Sequence, residues 1–186
     1  MNERQHDRCA LTSTANGRIA VWETRPTGVV LRTADAATPI ELPVSYPITA
    51  LENGPNGGVW TGYALGGISF QSPNGLRRHF STADGLPNSS VLSISPVPND
   101  PGRVWVATID GAAVVSLEGP NGPVHSMPML VPGPVDAVRA LADGGAWLAF
   151  KHLALIFFGG RKTPTLGRRA FSFAYLRMAK KWGRDS

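Results

Sequence analysis

Cysteine is nearly missing from this chain. Cys9 stands alone among 186 residues, so no internal disulfide and no cysteine-built metal site can form. His6 and Cys9 make one H-x-x-C pair with no second pair to complete four ligands, and both read as bystanders. Long hydrophobic runs are absent too. The best one, LALIFF at residues 153–158, falls far short of the ~20 apolar residues of a membrane helix. The start, MNERQHDRCALTSTANG, is polar and lacks the apolar core of a secretory signal, so the chain as written is expected to be cytoplasmic. Charge is sparse, at 17% of residues, and unevenly placed. Residues 1–160 hold ten Lys/Arg and twelve Asp/Glu, a net of −2. Residues 161–186 hold eight Lys/Arg and one acid, a net of +7. The basic character therefore belongs to the tail, which argues against nucleic acid as a partner of the body.

What is abundant is Gly, at 21 residues, and Pro, at 16, in a chain that is 42% apolar. These residues punctuate strands and break helices, so the composition points to a turn-rich β protein. Self-similarity then organises the chain. Trp22, Trp60, Trp105 and Trp147 recur at spacings of 38, 45 and 42, while Trp182 in the tail falls outside the series. An apolar residue opens each unit twelve or thirteen positions earlier, at Ala10, Ile48, Leu92 and Val135. A turn follows (ANGR, GPNGG, PNDPGR, ADGGA), then the Trp within a short apolar run, then a second β-prone run. Three or four short strands in about 42 residues is the size of one propeller blade. Blades pack face to face, which accounts for the nearly unbroken apolar runs VWVA and AVVSL. On this reading each Trp ring fills the wedge between neighbouring blades.

Residues 48–91, ITALENGPNGGVWTGYALGGISFQSPNGLRRHFSTADGLPNSSV, resemble the two-component regulator propeller repeat. The match lies at Gly58, Trp60, Gly62, Gly66, Gly67, Asp84, Gly85, Leu86 and Pro87. The sequence departs from that pattern at Asn53, where the family usually has an acid, and at Thr61, usually aliphatic. The third unit keeps the turn, Trp105 and Asp110-Gly111 but loses the DGLP ending. The resemblance implies a bacterial ligand-sensing β-propeller. Such proteins expose their blades in the periplasm and are anchored in the inner membrane. They carry a histidine kinase or diguanylate cyclase output.

No constellation for catalysis is visible: no G-x-S-x-G elbow, P-loop, G-x-G-x-x-G after a strand, or H-E-x-x-H. His6, His79, His125 and His152 are scattered, and exposed or strand-face positions are expected for them. Asp84 and Asp110, each before Gly, are expected to form turns rather than to hold calcium. Arg77, Arg78 and His79 could meet an anionic ligand, but a solvated strand face is the commoner use of such a run. Asn88-Ser-Ser matches a glycosylation acceptor, a common pattern that needs a secretory route, and Thr49 to Glu52 matches a capping box but lies inside an expected strand and reads as a false match.

The expected fold is thus all-β: a partial propeller of three blades and part of a fourth, with a basic helical or disordered tail. Its parts are a polar extension (1–9), repeats at 10–47, 48–91, 92–134 and 135–160, and a tail at 161–186. The repeat pattern stops in mid-blade, which is the ground for expecting a truncated form. The function expected first is a non-catalytic sensor or interaction module for a small molecule or polymer, and not an enzyme. A fragment of a propeller lyase or hydrolase, or a non-functional remnant, is the alternative. No catalytic residue, metal or cofactor is expected, and ligand-binding residues stay unassigned. Further blades or self-association are expected to cover bare blade faces, and membrane contact only through a parent protein or weakly through the tail.

Overall fold

Short β-branched and apolar stretches, cut every few residues by Gly, Pro or Asn, are too brief for helices but sufficient for strands. The computed structural model describes residues 9–13, 19–25, 28–41, 46–118, 124–126, 133–150 and 153–158. The basic tail and most of the polar extension lie outside them. The described residues form antiparallel sheets in chain order. The first blade holds β1 (Cys9–Ser13), β2 (Ile19–Arg25), β3 (Gly28–Arg32) and β4 (Ala37–Glu41). The second holds β5 (Ile48–Asn53), β6 (Val59–Tyr63), β7 (Ile68–Gln71) and β8 (Arg77–Phe80). The third holds β9 (Val91–Val97), β10 (Asp100–Thr108), β11 (Gly111–Ser116) and β12 (Val124–Ser126). The fourth holds β13 (Ala137–Ala140), β14 (Ala146–Phe150) and β15 (Leu153–Phe158).

Contacts between sheets identify the architecture. The first strand of each blade lies against the first strand of the next, β1 on β5, β5 on β9 and β9 on β13. The second strand of one blade also packs on the first strand of its successor, β6 on β9 and β10 on β13. Sheets stacked in this way around their first strands form a partial β-propeller of three four-stranded blades and a three-stranded fourth.

The core is divided among the seams between blades. One cluster joins Trp22 and Val29 to Ile48, Leu51, Val59 and Tyr63 of the second blade. The next joins Trp60, Ile68 and Phe70 to Val91, Ile94, Val104 and Val106 of the third. The last joins Trp105 and Ala107 to Val138, Ala146, Leu148 and Phe150 of the fourth. Strand alternation explains the sorting. Along β6, Val59 and Tyr63 face back to the first blade, while Trp60 faces forward to the third. Along β10, Val104 and Val106 face back and Trp105 forward.

The indoles do more than fill these wedges. Trp22 Nε1 donates to the Gly57 carbonyl at 3.1 Å, Trp60 Nε1 to Pro101 at 3.0 Å, and Trp105 Nε1 to Gly144 at 3.1 Å. Each acceptor sits at the first hairpin of the following blade. One side chain therefore supplies the seam's largest apolar surface and fixes the neighbour's height along the axis. Trp60 also packs on Phe70, with ring centroids 5.1 Å apart, and on Phe80 at 6.2 Å.

Two motif glycines follow from this packing. A Cβ at Gly62 would stand 2.6 Å from Val91 Cγ1 of the third blade, so a side chain there would push two blades apart. Gly67 closes the β6–β7 hairpin at φ 74°, and a Cβ would meet the Phe80 carbonyl oxygen at 2.2 Å.

Trp60→Phe keeps an aromatic ring but removes the indole donor, leaving the Pro101 carbonyl short of a partner and a gap in the wedge. We expect a loss of about 2 kcal/mol. It should be read in urea unfolding as a lower midpoint with an unchanged slope.

Candidate functional site

The inner strands bring together residues that sequence reading did not connect. Across each first hairpin, the residue paired with the Trp is Ala10, Glu52, Ser95 and Arg139 in turn. These four share one level of successive first strands. Sequence spacing hides the layer, because the hairpins differ in length: the partner precedes its Trp by 12, 8, 10 and 8 residues. Counting back from the Trp through the turn is the signal that would have found it.

The layer is polar and carries both signs of charge. Ser95 Oγ accepts from the Ala140 backbone N–H at 2.9 Å, and Ser93 Oγ from that of Val138 at 3.4 Å, tying β9 to β13. Glu52 is half-buried, and burial pushes its carboxyl above the ordinary 4.5, while the positive charge of Arg139 opposes the shift. A cation and an acid on the inner strands can orient a dipolar ligand, while the Ser93 and Ser95 hydroxyls are engaged in the seam to the fourth blade. They form no arrangement for nucleophilic attack.

A second polar group lies in the first seam. Tyr63 and Ser69 share a 2.7 Å hydrogen bond between their hydroxyls, and burial pushes the Tyr63 phenol up to about 12. Thr61 Oγ1, Gln71 Oε1 and Asn53 Oδ1 are buried there without a hydrogen-bond partner, as is Thr49 Oγ1 on β5. Register puts Asn53 opposite Val59 and Val59 opposite Gln71, with Thr61 opposite Ser69. Alternation then turns Asn53, Thr61, Ser69 and Gln71 to the face that packs on the first blade. Asn53 and Thr61 are the two positions at which residues 48–91 depart from the repeat they resemble, so both departures fall in one seam. The third seam takes in a polar side chain too, Ser95, but its hydroxyl is paired with the Ala140 backbone N–H.

The residues singled out from sequence fall elsewhere. Arg77, Arg78 and His79 lie exposed on β8, and His125 is exposed on β12, both outermost strands of their sheets. His6 and His152 lie outside the described side chains. Asp84 Oδ2 accepts from the Ser81 N–H at 2.8 Å and from Ser81 Oγ at 3.1 Å, closing a capping box on a short 3-10 turn. Asp110 Oδ2 accepts from Asn88 Nδ2 at 2.6 Å, linking the loop after the second blade to the β10–β11 turn. The Asn88 amide is thus engaged in an inter-blade tie. Thr49 and Glu52 lie on strand β5, as expected, and a capping box forms at Ser81–Asp84. Among the described residues no group of three or more His, Cys, Asp or Glu gathers in one place. No helix among them is long and apolar enough to cross a membrane.

No family model matches the chain, and no curated protein does. Solved structures do. Virginiamycin B lyase from Staphylococcus aureus superposes with a TM-score of 0.60 at 15% identity, covering 88% of this chain and 59% of that one. The extracellular domain of a hybrid two-component system from B. thetaiotaomicron gives 0.59 at 18% identity, covering 80% of this chain and 20% of that one. A β-propeller domain from Myceliophteria thermophila gives 0.59 at 11% identity, covering 84% and 52%. This chain spans 54% to 59% of the length of the lyase structures. At such identities the likeness establishes the fold, and the chain is a β-propeller module.

The Glu52 carboxyl binds its proton more tightly folded than unfolded. The resulting destabilisation is absent below the unfolded pKa and grows as pH rises through the window up to the raised folded value. Glu52→Gln should therefore raise the urea midpoint at pH 7, and the gain should vanish below about pH 4. Thr61→Val removes a buried hydroxyl that lacks a partner and restores an aliphatic side chain. It should stabilise the fold by about 1 kcal/mol in the same assay.

Proposed function

We propose that this chain is a non-catalytic ligand-sensing or interaction module of the kind found in the extracytoplasmic part of bacterial two-component or cyclic-dinucleotide signalling proteins. The observation that carries the reading is the inner-strand layer of Glu52, Ser95 and Arg139. It places opposite charges on first strands that are joined to one another through the blade seams, one of them tied by Ser95. A ligand held there would touch several blades at once, and a shift of one blade would pass to the next through its indole bond. The likeness to extracellular domains of hybrid two-component systems supports the same reading.

The lyase likeness supplies the second reading, an enzyme or enzyme fragment. The two described histidines, His79 and His125, lie exposed on outermost strands rather than in the inner layer. That placement favours the sensor.

The test titrates isotope-labelled chain with a panel of free amino acids and short oligosaccharides, followed by amide chemical shifts. Saturable shifts on β5, β9 and β13, lost in Arg139→Ala, are expected, with the probe recovered unchanged. Incubation with quinupristin, the compound bound in one of the lyase structures, should give no product. Conversion of that compound, or shifts confined to β4, β8 and β12, would contradict the proposal.

A further inference from the structure

The three seams are not built alike. On the face that each blade turns back to its predecessor, strand register lines up two rows of three positions. In the third blade one row is Pro96, Val104 and Val115, and the next is Ile94, Val106 and Ala113. In the fourth blade the same places hold Ala140, Ala146 and Phe158, then Val138, Leu148 and Ile156. Both faces carry apolar residues throughout. In the second blade the rows are Asn53, Val59 and Gln71, then Leu51, Thr61 and Ser69. Four of its six places are polar.

Most of the oxygens on that polar face are buried without a donor. Thr61, Ser69 and Gln71 are 0%, 1% and 3% exposed, and only Ser69 is satisfied, through Tyr63. Thr61 Oγ1, Gln71 Oε1 and Asn53 Oδ1 have no hydrogen-bond partner. The Gln71 amide cannot turn to find one without giving up the bond its Nε2 donates to the Ser72 carbonyl at 3.0 Å. The described buried hydroxyls of the other two seams are paired, Thr108 with the Gly111 carbonyl at 2.9 Å and Ser95 with the Ala140 N–H at 2.9 Å. A buried oxygen without a donor raises the free energy of a closed seam, and the penalty is returned when water reaches the group. Opening either of the other seams returns nothing of the kind and uncovers apolar surface.

We propose that the first blade is a reversible gate. It opens from the second blade as a unit while the second, third and fourth blades stay assembled, and it closes again on the same polar face. The Trp22 indole leaves the Gly57 carbonyl in the same step, since that bond crosses the seam. Once open, the first blade has no second sheet against Trp22 and Val29. Its strand pairing is therefore lost with the seam, because one repeat unit does not bury its apolar face alone. Strand β1 lies against β5, the strand that bears Glu52, so the opening gives a lateral way to the inner layer. The gate does not depend on any ligand being held there.

The test is native-state hydrogen exchange of the full chain, read residue by residue at low urea and under conditions where reclosing outpaces exchange. Amides of β2 and β3 and the Trp22 indole N–H should exchange through one shared opening. It should be about tenfold or more above the opening that releases β6, β10 and the indoles of Trp60 and Trp105. Its urea slope should be smaller than that of global unfolding, because only one seam is uncovered. Two substitutions separate a gate from simple fraying of an end blade. Thr61→Val should slow exchange in the first blade by about fivefold, the same factor by which it slows the most protected amides. Fraying that never uncovers the second blade would leave first-blade exchange unchanged while the slow amides gain. Trp60→Phe weakens the second seam, so it should speed exchange of β6 and β10 and leave the first blade where it was. First-blade amides that exchange only with the global urea slope, that ignore Thr61→Val, or that accelerate with Trp60→Phe overturn the proposal.

Discussion

The structure depends on one repeated interaction: an indole N–H reaching out of its own sheet to a backbone carbonyl at the first hairpin of the next. A seam of aliphatic side chains alone would hold two sheets together but leave them free to slide, because dispersion and hydrophobic contact carry little direction. The hydrogen bond removes that freedom, since a buried carbonyl without a donor costs free energy wherever the neighbouring sheet has slipped. Trp is the one side chain that combines the ring area and the single donor needed for both tasks. Three such locks set the second, third and fourth blades in order.

With the seams held by Trp, small residues and aliphatics, sequence freedom is confined to a few places. One is the inner-strand position paired with the Trp, which is Ala, Glu, Ser and Arg in turn. Another is the first seam, where polar side chains stand among apolar ones. The functional reading rests on the first of these positions. The seams supply rigidity, and the inner layer supplies the chemistry a ligand would meet.

Much of the architecture could be read before any coordinates. Recurring Trp with a matched turn before it and a β-prone run after it is a pattern over many residues, and chance does not reproduce it four times. The role of Trp in the wedge and of Asp84 and Asp110 in turns followed from residue chemistry alone. The functional layer did not. Glu52 and Arg139 are 87 residues apart in the chain, and each lies a different distance from its neighbours' counterparts because the hairpins vary in length. Only strand register aligns them. The polar first seam was hidden for the related reason that alternation must be known before Asn53, Thr61 and Gln71 can be assigned to one face. The true capping box at Ser81–Asp84 was missed because Ser and Asp at that spacing are common and only the backbone turn distinguishes it.

The most direct measurement of the central claim is hydrogen exchange at the indole nitrogens, followed by side-chain N–H resonances. If each indole is the bolt of a seam, the protons of Trp22, Trp60 and Trp105 should exchange only through opening of whole blades, as slowly as the amides of the strands beside them. Exchange at the rate of free tryptophan, while those strand amides remain protected, would show that the blades are held together by something else.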